Sequence, residues 1–406
     1  MALMPVEDAL ALLLSAVQPV EAERVSLEDA AGRVLAAPVI ARRTTPGADV
    51  SAMDGYALRA QDAPSVPVTL ELIGESAAGR PFSGRVEPGT TVRVFTGAVL
   101  PEGSDAIVIQ EDTTRDGSAI TLTEAATPGR HIRRAGGDFA AGETLLAAGH
   151  RLRARDLALI AAADVDSISV ARRPRVALLS TGDELVRPGA GAAAHQVIVS
   201  NIYSVAALAR AAGAEVADLG ILPDRMDATQ AGVRAALDAG FDALVTTGGA
   251  SVGDHDLIAP ALTAQGVDLA VHKIALRPGK PLMFGLSADA RTQVLGLPGN
   301  PVSAHVCALL FLVPLIKALQ GLEVPAHPEL EPARLGSDIR ANEHRMDFQR
   351  AEIVGHAEGL PLVRPLPVQD SSMLRNLARA DVLLVRRPHA PAAAAGEMCE
   401  ILRFED

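Results

Sequence analysis

The chain has no tryptophan, and aromatic residues are only 2% of its 406 residues. Aromatic platforms for stacking bases are therefore not expected. A cationic excess is also missing. The formal net charge is −12, the wrong sign for a phosphate-backbone binder. The two cysteines, Cys307 and Cys399, are far apart and form no CxxC pair. That argues against a disulfide framework or zinc knuckle and for a reducing compartment. No basic segment precedes the apolar stretch 10–17; Glu7 and Asp8 stand there instead. A signal peptide is thus not expected, and Val6, Leu10, Leu13, Leu14 and Val17 fit an amphipathic helix. The longest apolar stretch, 302–319, carries His305, Pro314 and Lys317 and reads as too interrupted to span a membrane. These absences predict a soluble cytoplasmic protein that binds neither nucleic acid nor membrane. What is abundant is Ala, Val, Leu and Ile, in a chain long enough for about two to four domains.

Four zones follow one another. Residues 1–45 read as helical, and 141–171 return to that pattern around 154–163. Between them, 46–140 carries short strands at 68–73, 91–95, 106–109 and 119–123, punctuated by Pro and Gly, as in a small antiparallel β unit. It therefore reads as a β domain inserted into an N-terminal domain of 1–45 plus 141–171. From 172 to 322, strands alternate with helices: 176–179, helix 201–212, 216–221, helix 228–239, 243–245, 293–297 and a long helix after Asn300. This is the pattern of a doubly wound α/β domain. Residues 325–406 return to short strands at 348–354, 360–363, 382–385 and 398–402, a small C-terminal β domain. The predicted fold class is a multidomain protein of α/β and β parts.

The strand ends of the α/β zone deliver similar cargo. The first runs into Ser180-Thr181-Gly182-Asp183-Glu184. The second runs into Leu222-Pro223-Asp224. The third runs into Thr247-Gly248-Gly249-Ala250-Ser251, then Asp254, His255 and Asp256. The fourth runs into Pro298-Gly299-Asn300-Pro301-Val302-Ser303. In a parallel sheet these ends share one edge, where α/β ligands bind. Paired glycines let backbone N–H groups form an anion cradle. Glu184, Asp224, Asp254 and Asp256 are placed to converge there. Between the third and fourth loops, Lys273, Arg277 and Lys280 surround a Pro278-Gly279 turn. Pro281 stands where a Walker A loop needs Ser or Thr, so the turn reads as a phosphate clamp of another kind. A phosphate charge about 5 Å from a carboxylate, at effective ε of roughly 20, is repelled by about 3 kcal/mol. A divalent cation reverses that sign, and Asp and Glu donors without a Cys or His cluster point to Mg²⁺.

Together these loops resemble the molybdopterin molybdenumtransferase family, to which the C-terminal domain of gephyrin belongs. The matching motifs include Ser51-Ala52-Met53-Asp54-Gly55-Tyr56-Ala57, Thr96-Gly97-Ala98 and Pro101-Glu102-Gly103. Arg133-Arg134 with Gly137-Asp138, the four strand-end loops, Pro278 to Pro281 and Asp347-Phe348-Gln349-Arg350 complete the ordered set. The resemblance implies a four-domain plan with a molybdopterin-binding α/β domain and a barrel-like C-terminal domain. It also implies an enzyme that takes adenylylated molybdopterin and molybdate, releases AMP and leaves molybdenum on the pterin's dithiolene. By the same resemblance, the substrate site lies between two subunits of a homodimer. Asp54, Thr96 with Gly97, and Asp138 of one would face Glu184, Asp224, Asp256, Lys273 and Lys280 of the other. Glu184, Asp224 and Asp256 would be the Mg²⁺ ligands. Thr181, Gly182, Gly248, Gly249, Ser251, Pro298, Asn300, Pro301 and Ser303 would line the substrate, with Arg350 and Ser372 placing oxyanions from the last domain. Molybdopterin adenylyltransferase and acceptor molybdoenzymes are the partner proteins implied. Arg277 stands where many members have lysine; altered phosphate contact with retained binding is expected.

Two other readings compete. A molybdopterin adenylyltransferase would resemble 172–322 alone, and the long flanking zones speak against it. A non-catalytic scaffold of the gephyrin type would need a linker and an extra domain.

Overall fold

The computed structural model describes residues 3–248 and 257–404, with the backbone alone at 270–272. Gly249, Ser251, Asp254, His255 and Asp256 lie outside the described residues. The chain divides into two compact units, one of 1–23, 32–36 and 169–406, the other of 24–31 and 37–168.

The smaller unit is built on a six-stranded sheet. Its order is Ala106–Ile109, Gly55–Leu58, Thr90–Val94, Val68–Ser76, Ala119–Leu122 and Thr113–Asp116. Gly55–Leu58 is buried along its whole length. Tyr56 and Leu58 join a core with Leu70, Val108 and Ile120, while Ala57 joins Val92, Val94 and Ile107 in a second one. A side chain at Gly55 would run into the carbonyl of Val108. Only glycine lets the chain leave Asp54 and enter the sheet at once.

The larger unit holds a six-stranded mixed sheet in the order Glu215–Leu222, Arg175–Thr181, Ala243–Thr247, Gln293–Leu297, Pro281–Leu286, Asp268–Lys273. The first four strands are parallel and the last two antiparallel. The expected doubly wound sheet is present, with an antiparallel pair added where only a turn was read. Alternate residues enter different cores. Val176, Leu178 and Val245 face the helices Asn201–Ala211 and Pro301–Leu319; Ala177, Leu179 and Leu244 face Met226–Asp238 and Ile258–Ala264. Burial on both faces is why these strands are continuous apolar runs.

Helix Pro301–Leu319 is, by length and composition, long and apolar enough to cross a membrane, yet it is 78% buried within the fold. Its apolarity is thus used by the core. Pro314 does not break it. A π turn over Ala308–Leu312 comes directly before, and the wider turn relieves the proline ring's clash with the carbonyl four residues back.

Residues 1–45 are not uniformly helical as expected. Only Val6–Ser15 is a helix, and the strands Ala22–Ser26 and Val39–Ile40 follow. Pro19, Gly32 and Pro38 punctuate the rest, and apolar spacing of three and four is confined to the first segment. That helix buries Val6, Ala9, Leu10 and Leu13 in the α/β core.

The C-terminal strands close into a five-stranded ring. Met346–Ala357 pairs with Leu360–Pro365, then Glu331–Leu335, Met398–Arg403 and Val382–Arg386 follow, and the last pairs back to Met346–Ala357. The short strand Leu276–Arg277 attaches in parallel to Met346–Asp347.

Candidate functional site

Register brings the strand ends together. Thr181 lies opposite Leu222, Ser180 opposite Thr247, and Thr247 opposite Leu297. The hydroxyls of Ser180 and Thr247 are 2.9 Å apart. Gly248 has φ +90°, and a Cβ there would stand 2.7 Å from the Thr181 carbonyl oxygen. Glycine is required on both counts. Asn201 Nδ2 donates to the Gly299 carbonyl at 2.8 Å. A cavity of about 90 Å³ is lined by Thr181, Glu184, Ser200, Asn201, Gly248 and Pro301, among others. Whole-ligand pockets run to roughly 300–1,000 Å³, so this cavity suits one fragment of a larger ligand. Ser303 is buried, 4% exposed, in the helix that starts at Pro301.

The carboxylates differ in their ties. Asp183 N–H donates to Asp224 Oδ2 at 3.3 Å, and Asp224 N–H donates to Asp183 Oδ1 at 3.1 Å. This reciprocal pair locks the first two strand-end loops together. Asp183 was not among the predicted site residues, although it adjoins Glu184 in the same loop. Glu184 is exposed, and its carboxylate lies over Gly182, 2.5 Å from where a Cβ would stand. Among the described residues no group of three His, Cys, Asp or Glu is positioned to hold a metal ion.

The cation turn joins the two antiparallel strands, with Lys273 opposite Pro281. Ile274 N–H donates to the Lys280 carbonyl at 3.1 Å. Among the described residues, Lys273 and Lys280 make no ion pair. Arg277, the third cation of the turn, has an acidic partner in the barrel. It donates to Asp347 Oδ2 at 2.6 Å, a contact that raises its pKa above the ordinary arginine value. The chain holds 37 Lys and Arg, of which only three are Lys: Lys273, Lys280 and Lys317.

The barrel contributes a loop. Arg350 is 1% exposed and donates to the Asp370 carbonyl at 3.0 Å. Burial pushes its pKa down from the ordinary value. Ser372 donates to Asp370 through its N–H at 2.8 Å and its hydroxyl at 2.7 Å, which holds that carboxyl below the usual range. The residue that reaches the strand-end edge is Ser371, which was not predicted. Asn300 Nδ2 donates to its hydroxyl at 3.1 Å and Val302 N–H to its carbonyl at 3.0 Å. Asn300 is expected to line the substrate and to start the helix; its bond to Ser371, 71 positions away, is not expected from the sequence.

In the smaller unit, Asp54 Oδ1 accepts from Thr96 N–H at 2.7 Å and from the Thr96 hydroxyl at 2.8 Å. These two donors, then Arg93, hold its carboxyl below the usual range. Gly97, at φ +83°, donates to the Ser51 carbonyl at 2.8 Å and closes the loop pair. Asp138 is exposed on a separate loop, with its N–H on the Thr45 carbonyl at 3.1 Å.

Comparison with known proteins agrees along the chain. Residues 4–163 match the MoeA N-terminal region (domain I and II), 177–318 the probable molybdopterin binding domain, and 332–404 the MoeA C-terminal region (domain IV). A molybdopterin molybdenumtransferase of Haemophilus influenzae is 35% identical over 387 residues, covering 95% of each chain. Molybdopterin molybdenumtransferase 2 of Mycobacterium tuberculosis is 36% identical over 389 residues, covering 93% of this chain and 94% of its own. The crystal structure of the molybdopterin biosynthesis moeA protein from Pyrococcus horikoshii OT3 superposes with a TM-score of 0.84 at 26% identity, covering 99% of this chain and 100% of its own. The chain therefore belongs to the molybdopterin molybdenumtransferase family, transferases of molybdenum cofactor biosynthesis.

Proposed function

We propose that this protein transfers molybdenum from molybdate to adenylylated molybdopterin. Water cleaves the phosphoanhydride, so AMP leaves and the pterin keeps its own phosphate; the two dithiolene sulfurs bond to molybdenum as one molybdate oxygen departs as water with the two thiol protons, without redox change. The observation that carries this reading is a lysine-flanked turn in the same α/β sheet as a carboxylate-bearing strand edge. This chain writes nearly every cation as arginine, yet keeps lysine at 273 and 280. Lysine offers a compact point charge where arginine offers a planar fork, and a point charge suits a phosphate that shifts as its bond breaks.

The site residues divide by charge. Lys273 and Lys280 hold anionic oxygens. The Gly248 turn would cradle a second anion. Glu184 and Asp224, with Asp256, would hold Mg²⁺; the donors are all oxygen, which fits a hard divalent ion. When bound, the ion would neutralise charge on the phosphoanhydride. We further propose a cytoplasmic homodimer, in which Asp54, Thr96 and Asp138 of one subunit complete the site of the other. The test is AMP release from adenylylated molybdopterin by purified protein with and without molybdate. Molybdate-dependent release supports the assignment; release that ignores molybdate overturns it.

A further inference from the structure

The cation turn is held from two sides. Arg277 lies opposite Asp347, where the short strand Leu276–Arg277 joins the barrel. Its guanidinium donates to Asp347 at 2.6 Å and to Asn342 Oδ1 at 3.2 Å, and Glu343 is 3.7 Å away. Both acceptors are fixed by the barrel. Asp347 is 5% exposed and also accepts from the Gln349 amide at 2.8 Å. The two hydrogens of the Asn342 amide are shared among the carbonyls of Arg345, Arg386 and Arg387, at 2.7, 2.9 and 2.8 Å. Turning Arg277 toward a phosphate would leave a buried carboxylate without its cation, which is strongly unfavourable. On the other side, Gly279 has φ +117°, and a Cβ there would run into the sulfur of Cys307, which is fully buried in the helix begun at Pro301.

We propose that Arg277 is a positioning residue. It is a strut from the barrel that, with the Gly279–Cys307 contact, sets where Lys280 stands, and it does not touch the substrate. Arginine suits the task because its planar head spans several acceptors: Nη2 donates to both Asp347 and Asn342 while Nη1 lies 3.7 Å from Glu343, a spread that a lysine matches less well. This rests on the substrate reading above for what Lys280 meets, but the strut itself is testable without substrate.

The experiment compares Arg277→Lys, Arg277→Met, Asp347→Asn and the Arg277→Met/Asp347→Asn pair. The first readout is hydrogen exchange of the Ile274 amide, which is bonded to the Lys280 carbonyl. The second is KM and kcat for AMP release from adenylylated molybdopterin. Losing the charge-assisted contact should speed Ile274 exchange by roughly tenfold in Arg277→Met and in Asp347→Asn. KM should rise in both, and the double variant should be no worse than the worse single, because the two residues act as one. Arg277→Lys should recover part of the loss. If Arg277 instead binds phosphate directly, Asp347→Asn frees it and lowers KM, which overturns the strut. Unchanged Ile274 exchange also overturns it, as does lost thermal stability with KM unmoved. Asp347→Asn keeps size and shape, so it decides the matter even if Arg277→Met does not fold. Absence of AMP release by the wild-type protein would sink the substrate reading and leave the exchange result to judge the strut.

Discussion

Asp54 in the smaller unit and Glu184 in the larger are held in opposite ways. Asp54 takes two donors from Thr96 on one oxygen and is fixed before any ligand arrives. Glu184 lies in the open over Gly182, which has no side chain to confine it. The difference teaches a division of labour. A carboxylate already bonded to N–H and O–H donors is a rigid acceptor, suited to positioning. One with open lone pairs is suited to gripping an ion or molybdate that comes and goes.

The largest effect should come from breaking the open partner. Glu184→Ala is expected to abolish molybdate-dependent AMP release while retaining most pterin binding; turnover at the wild-type rate would remove Glu184 from the site. The same variant tests whether the two carboxylates meet across subunits. Mixed with inactive Asp54→Ala chains, it should regain activity, since one heterodimeric site is then wholly intact. No recovery, with heterodimers verified by mass spectrometry, would place both residues in a single-chain site.

Next in size is Gly248→Ala. It meets both a positive φ and the Thr181 carbonyl, so a stability loss of about 1–3 kcal/mol is expected, read by denaturant unfolding. A neutral result would show that the strand-end turn relaxes freely. Lys280→Ala should weaken binding of adenylylated molybdopterin by about 1.5–3 kcal/mol, one charge-assisted contact. Isothermal titration with unchanged affinity would reduce the turn to a surface feature.

The smallest effect sharpens the comparison. Thr96→Val removes one of the Asp54 donors. Because those donors lower the Asp54 pKa, losing one must raise it. The acid limb of the activity profile, where Asp54 becomes protonated, should move to higher pH in Thr96→Val. A limb that does not move would mean that Asp54 ionisation is irrelevant to turnover.

Much of this architecture was legible because local pattern and global fold agree. The run 293–297 is continuous and apolar because it is buried on both faces, and the loops that follow such runs had to share an edge once the strands were parallel. The rest depended on distant partners. Nothing around Arg277 in the sequence points to its ion pair with Asp347, 70 positions later, which barrel pairing brings alongside. Ser371 looks no different from Ser372 in sequence; its bond to Asn300 exists only because the barrel loop meets the helix start. Arg350 shows no sign of burial from its neighbours alone, since its strand is flanked by Val382–Arg386, with Leu383 opposite Arg350. The antiparallel pair flanking the cation turn was hidden because its two strands are interrupted by the Pro278-Gly279 turn that drew attention instead.

The helix Val6–Ser15 carries one more consequence, for how the chain is made. It leaves the ribosome long before its core neighbours Leu312, Leu315 and Ile316, which come some 300 residues later in the chain. All of the smaller unit is synthesised in between and can fold as a domain while the helix waits with Val6, Leu10 and Leu13 uncovered. Closing so long a loop costs little more than closing a moderate one. The delay is therefore one of time more than of free energy, and the nascent protein is most vulnerable to aggregation after its smaller unit has folded and before its long apolar helix has emerged.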